Sequence, residues 1–71
     1  ALQQPYVKHI DGDLWELRVK FASDISRIFY FLATERKFVL LHGFVRKTDK
    51  TPPGEIDTAN KRMADYKERR I

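Results

Sequence analysis

Apolar and polar residues alternate with a period of two through the middle of the chain and with a helical period near its end. Residues 14–21, LWELRVKF, set Trp15, Leu17, Val19 and Phe21 against Glu16, Arg18 and Lys20. Residues 26–33, SRIFYFLA, and residues 38–44, FVLLHGF, are rich in aromatic and branched side chains. All three read as strands, because such side chains fit a pleated, half-buried surface. The short links at 22–25 and 34–37 suit hairpins. The first thirteen residues show no clear periodicity, and Pro5 and the Asp11, Gly12 pair read as loop and turn. After Phe44 a polar basic loop, RKTDKT, leads to a helix expected over about 52–69. Thr51 is placed to cap it, with Pro52 shaped for its first turn. Glu55 and Asp57 near its start, and Lys67, Arg69 and Arg70 near its end, match the helix dipole. Ile56, Ala59, Met63 and Tyr66 form one apolar stripe. The expected fold is α+β: a small antiparallel sheet of three hairpin-linked strands with a C-terminal helix, in one domain spanning residues 1–71.

Hairpin geometry places side chains on faces. A four-residue link at 22–25 sets Arg18 opposite Phe29 and Lys20 opposite Arg27. The link at 34–37 sets Phe29 opposite His42 and Arg27 opposite Phe44. Residues opposite in a ladder share a face. One face then carries Arg18, Lys20, Arg27, Phe29, His42 and Phe44. Phe31 and Leu40 on that face would receive the helix. The other face carries Trp15, Leu17, Val19, Ile28, Tyr30, Leu32, Val39 and Leu41 as an apolar layer. A one-residue slip would bury Arg27 or His42 in that layer, which supports the pairing.

Charge sharpens this picture. The net charge is +4 over 71 residues, with six basic and five acidic side chains in residues 1–45 and eight and five in residues 46–71. A basic C-terminal third points to a polyanion or an acidic protein as partner. Cations that hold phosphates, with rings that stack on bases, bind single-stranded RNA. Arg18, Lys20 and Arg27 supply the first, and Phe29 and Phe44 the second. The competing reading is an ordinary sheet with one face packed under the helix.

Nine aromatic residues help a short chain build a core. A domain of this size buries only about 60% of its unfolded surface, so marginal stability is expected. No cysteine is present, which removes disulfides, thiolate nucleophiles and cysteine-based zinc sites. Two histidines, His9 and His42, do not make a metal site alone, and His9 reads as a surface residue. No apolar run reaches the ~18 residues that cross a bilayer. A small domain without staples fits the reducing cytosol, or needs a partner.

From Tyr6 to Lys67 the strings YVKHIDGDLWELRV, SRIFYF and VLLHGFVRKTDKTPPGEIDTA occur in the order found in the RelE/ParE toxin superfamily. The chain resembles most closely its HigB-like, phage-derived branch, and looks like the C-terminal two-thirds of such a protein. The usual N-terminal strand and helical hairpin are expected to be missing, leaving the apolar layer for an antitoxin, a second copy or the C-terminal helix to cover.

The resemblance implies a toxin of a type II toxin–antitoxin system. It would act in the cytoplasm as a ribosome-dependent mRNA endoribonuclease without metal or cofactor, and a helix-turn-helix antitoxin would neutralise it. In that chemistry the 2′-hydroxyl attacks the neighbouring phosphate and leaves a cyclic phosphate. The likeness assigns Arg18 and Arg27 to cationic strand positions of the active site, and Arg46 and Lys47 to a basic pair after the last strand. Lys50 joins them as a loop phosphate contact. His42 is the acid–base candidate, being the side chain on this face whose ordinary pKa lies near neutrality. The late tyrosine of some relatives is absent, since that stretch reads PPGEI. Two other functions fit the same fold: a ParE-type poison of DNA gyrase, and a non-catalytic remnant that only binds an antitoxin.

Overall fold

A computed structural model describes residues 6–47 and 50–69. Among these, four strands precede one helix: β1 (Tyr6–Asp11), β2 (Leu14–Phe21), β3 (Asp24–Thr34), β4 (Lys37–Arg46) and α1 (Pro53–Arg69). The strands form an antiparallel meander in the order β1-β2-β3-β4. The α+β expectation holds with one strand more than expected. β1 escaped the periodicity argument because the side chains of YVKHID are nearly all exposed, so no buried face imposes alternation. It pairs with β2 across a turn at Gly12 and Asp13, where Gly12 adopts φ 52°. The calls on Pro5 and Arg70 lie outside the described residues.

The β2–β3 register differs from expectation by two residues. Arg18 faces Arg27, and Glu16 faces Phe29. The strands run on to the Phe21–Asp24 pair, so the connection is a tight two-residue turn at Ala22 and Ser23, not a four-residue link. A shift of two preserves which side chains share a face. The β3–β4 register near the site is the expected one, with Phe29 opposite His42 and Arg27 opposite Phe44.

Beyond that point the ladder slips between Phe29 and Tyr30, leaving Leu41 as the extra residue of a bulge. The bulge exchanges the faces of the distal half of β4. Leu41 and Val39 turn toward the helix and join the core, against the expectation that placed them in the opposite layer. Leu40, expected beneath the helix, points away and is 70% exposed.

Helix α1 covers one face of the sheet. Its stripe is the expected one: Ala59 is buried, and Ile56, Met63 and Tyr66 pack against the core of Leu14, Phe29, Phe31 and Leu41. Each large buried ring or aliphatic chain contributes about 1.5–3 kcal/mol. The opposite face was expected to be the apolar layer. It is apolar but open, with Val7, Trp15, Leu32, Phe38 and Leu40 exposed along it. The polar-plus-aromatic face is the one that receives the helix. The core therefore lies where the sequence places its arginines.

The helix start also differs. Pro53 is its first residue, and the Pro52 carbonyl accepts from the backbone N–H groups of Glu55 (3.1 Å) and Ile56 (3.4 Å). Thr51 does not cap this helix, because its hydroxyl is spent on the sheet.

Candidate functional site

The covered face holds two adjoining polar clusters. The first spans β1, β2, β3 and the segment before α1. Glu16 and Arg18, two apart on β2, project to the same side and form an ion pair. Arg18 Nη1 donates to the Tyr6 hydroxyl at 2.9 Å, and Nη2 to Thr51 Oγ1 at 3.0 Å. Arg27 Nη1 donates to the same Thr51 oxygen at 2.8 Å and to the Lys50 carbonyl at 2.7 Å. Thr51 in turn donates to Glu16 at 3.0 Å. Glu16 and Arg27 are fully buried, and Arg18 is 5% exposed. Burial pulls the Arg18 pKa down, but hydrogen bonds to Glu16 and Tyr6 and the attraction of both outweigh it. The guanidinium therefore sits above its ordinary range and stays charged.

The second cluster joins β4 to α1. His42 Nε2 lies 2.6 Å from Glu55 Oε1, and Arg46 Nη2 donates to Glu55 Oε2 at 3.0 Å. Arg62, two turns further along α1, donates to the Leu41 carbonyl at 2.9 Å and approaches His42 Nδ1 at 3.3 Å. The imidazole stacks on Phe44 at 5.6 Å and faces Phe29 at 6.3 Å. Glu55 is held below its ordinary 4.5, chiefly by the hydrogen bond from His42 and further by Arg46, while partial burial opposes both.

Phe44 links the clusters. Its ring lies beneath Arg27 at 6.0 Å and Arg46 at 5.9 Å. The three residues expected to do chemistry, Arg18, Arg27 and His42, thus occupy one face, but as members of separate networks. Arg18 and Arg27 share Thr51; His42 answers to the helix.

The expected RNA-contacting residues divide likewise. Lys20, Arg46, Lys47 and Lys50 are exposed. Phe44 is half-buried. Phe29 is fully buried at the centre of the core, so it presents no ring to a base, and the stacking role expected of it does not fit this structure. His9 is a surface residue as expected, its ring tilted at 46° against Trp15 and its Nε2 2.7 Å from the Gly12 carbonyl.

Glu16, Thr51, Glu55 and Arg62 were not singled out as site residues. Glu16 left a trace in the sequence, since it shares strand parity with Arg18. Glu55 and Arg62 left a weaker one: they lie seven apart on the predicted helix and hence on one side of it.

Among the described residues no three His, Asp or Glu side chains form a metal-binding group, and no helix is long and apolar enough to cross a membrane.

A family profile described as Phage derived protein Gp49-like (DUF891) matches residues 1–64. No curated protein matches the chain. A match over nine-tenths of the sequence, joined to a four-stranded meander backed by a C-terminal helix, places the chain in the phage-derived Gp49-like family, a family of the RelE/HigB toxin type.

Proposed function

We propose that this chain is the toxin of a type II toxin–antitoxin pair and cleaves mRNA on the ribosome without a metal ion, using the face built around His42. The observation that carries this reading is the grouping of His42, Glu55, Arg46 and Arg62 on that face, beside the exposed Lys47 and Lys50.

The chemistry follows from these groups. An imidazole takes the proton of a 2′-hydroxyl. Guanidinium groups neutralise the charge that gathers on the phosphate as the 2′-oxygen attacks. Arg46 and Arg62 are at the surface and available for this work. Arg18 and Arg27, buried beneath the Thr51 segment, act from below by fixing that segment and lending positive potential. The helix-turn-helix antitoxin expected as partner would neutralise the toxin in the cytoplasm, where translated messages are found.

The test is the product. Purified chain added to ribosomes translating a defined message should release fragments ending in a 2′,3′-cyclic phosphate, and His42→Ala should release them about a hundredfold more slowly while remaining folded. Fragments ending in a 3′-hydroxyl would contradict the reading.

The burial of Arg18 and Arg27 among protein partners favours a second reading, a non-catalytic chain that only binds an antitoxin. A folded chain that binds the antitoxin and leaves translated messages intact would establish it.

A further inference from the structure

We infer that Glu55 and Arg62, both supplied by α1, are positioning residues that hold His42 as the Nε2–H tautomer and make Nδ1 its proton-accepting atom. The inference rests on the nuclease reading for its kinetic consequences, but its structural content stands apart from it.

The geometry leaves one consistent arrangement. Arg62 has only N–H donors to offer, so at 3.3 Å from Nδ1 it requires a lone pair there. The ring proton then resides on Nε2, which lies 2.6 Å from Glu55 Oε1 and donates to it. Glu55 is an acceptor because it is ionised, being held below its ordinary value by His42 and Arg46. Every charged group around the ring agrees with this assignment. Glu55 and Arg62 approach from α1 and Arg46 from β4, while Phe29 and Phe44, in contact with each other, pack beside the ring without charge. A carboxylate on one imidazole nitrogen orients the ring and stabilises the imidazolium that forms when the other nitrogen takes a proton.

Arg62 then has a second task. Its Leu41 anchor holds the guanidinium at the Nδ1 side of the ring. A phosphodiester arriving there competes for the guanidinium and leaves Nδ1 facing the 2′-hydroxyl. The 2′-hydroxyl proton passes to Nδ1, the O2′–P bond forms, and the P–O5′ bond breaks. The departing 5′-oxygen takes a proton from water, and the imidazolium returns its proton to solvent. The ligand class is a single-stranded RNA phosphodiester with an intact 2′-hydroxyl; a DNA strand lacks the group that Nδ1 serves.

Two measurements test this on the full chain. In the first, ¹⁵N spectra of histidine-labelled protein at about pH 8 report the ring tautomer directly. The inference expects the proton of His42 on Nε2, with Nδ1 unprotonated. A ring carrying its proton on Nδ1, with or without one on Nε2, or an even mixture of tautomers, overturns it whatever the activity. In the second, cleavage of a translated message is measured for Glu55→Gln, with the expectation that kcat falls about tenfold or more while KM stays within about twofold. The same change in a His42→Ala background should cost no more than about twofold further, because Glu55 acts chiefly through the ring and its bond to Arg46 is at the surface. Wild-type kinetics for Glu55→Gln, or an equal loss in the His42→Ala background, overturns the positioning role while leaving the nuclease reading intact. Absence of cleavage by the wild-type chain sinks the nuclease reading instead, and the tautomer then decides the inference by itself.

Discussion

Arg18 and Arg27 stand directly opposite each other on β2 and β3, and both are buried. Like charges in such a pair repel, so the pair exists only because other groups hold it. Glu16 supplies the charge and Thr51 the shared oxygen. Removing one member of a buried ion pair leaves an uncompensated charge, which costs about 3–5 kcal/mol. Glu16→Gln should therefore lose most of the stability of so small a domain, as measured by urea unfolding. The double change Glu16→Gln with Arg18→Met should be milder than Glu16→Gln alone. An undisturbed unfolding midpoint for Glu16→Gln would show that the pair contributes little.

Thr51 accepts from two guanidinium groups and donates to one carboxylate. Thr51→Val keeps the shape and deletes all three bonds. It should cost about 1–3 kcal/mol, the penalty of leaving buried donors unmet, whereas Thr51→Ser should stay near wild type. A loss for Thr51→Ser with none for Thr51→Val would point to packing of the methyl group in place of hydrogen bonding by the hydroxyl.

Ala22 turns the β2–β3 hairpin at φ 56°. A side chain in this left-handed region costs roughly 1–2 kcal/mol, which glycine avoids. Part of that gain is returned through the freer unfolded chain. Ala22→Gly should raise stability by about 0.5–1 kcal/mol by thermal or urea unfolding, without altering the site. A loss of stability would mean that the turn is not strained.

Two carboxylates set an acid limit. Glu55 is held below its ordinary 4.5, first by His42, and Asp13 below its ordinary 3.8 by the hydrogen bond and charge of Lys67. A carboxylate with a lowered folded pKa contributes in full above its ordinary value, and its contribution is lost as pH falls through the folded one. Stability should therefore decline as the pH drops below about 4.5 and more steeply below about 3.8. Glu55→Gln and Asp13→Asn should each flatten that decline. A slope unchanged in both variants would contradict the assignments.

The legible parts of the sequence were those governed by short-range periodicity. The alternation in residues 14–21 located β2 to the residue, and the Ile56, Ala59, Met63, Tyr66 stripe located the buried side of α1. Parity put Arg18, Arg27, Phe29 and His42 on one face despite a two-residue error in the β2–β3 register. That error arose because alanine and serine at 22 and 23 carry no strong turn signature, although Ala22 adopts a conformation that glycine would advertise. The Leu41 bulge was invisible for a related reason. One extra residue within FVLLHGF leaves an apolar run apolar, yet it reverses the sides taken by Val39 and Leu41. The pairing of His42 with Glu55 depends on how α1 docks, which no local pattern encodes.

The central claim is that the His42 face cuts translated messages. The most direct test maps mRNA 5′ ends in bacteria expressing the wild-type chain, His42→Ala, or neither. The account predicts new ends at fixed positions within codons of translated messages for the wild type, and a return to background for folded His42→Ala. Cuts that persist undiminished in His42→Ala, or a wild-type chain that produces none, would contradict it.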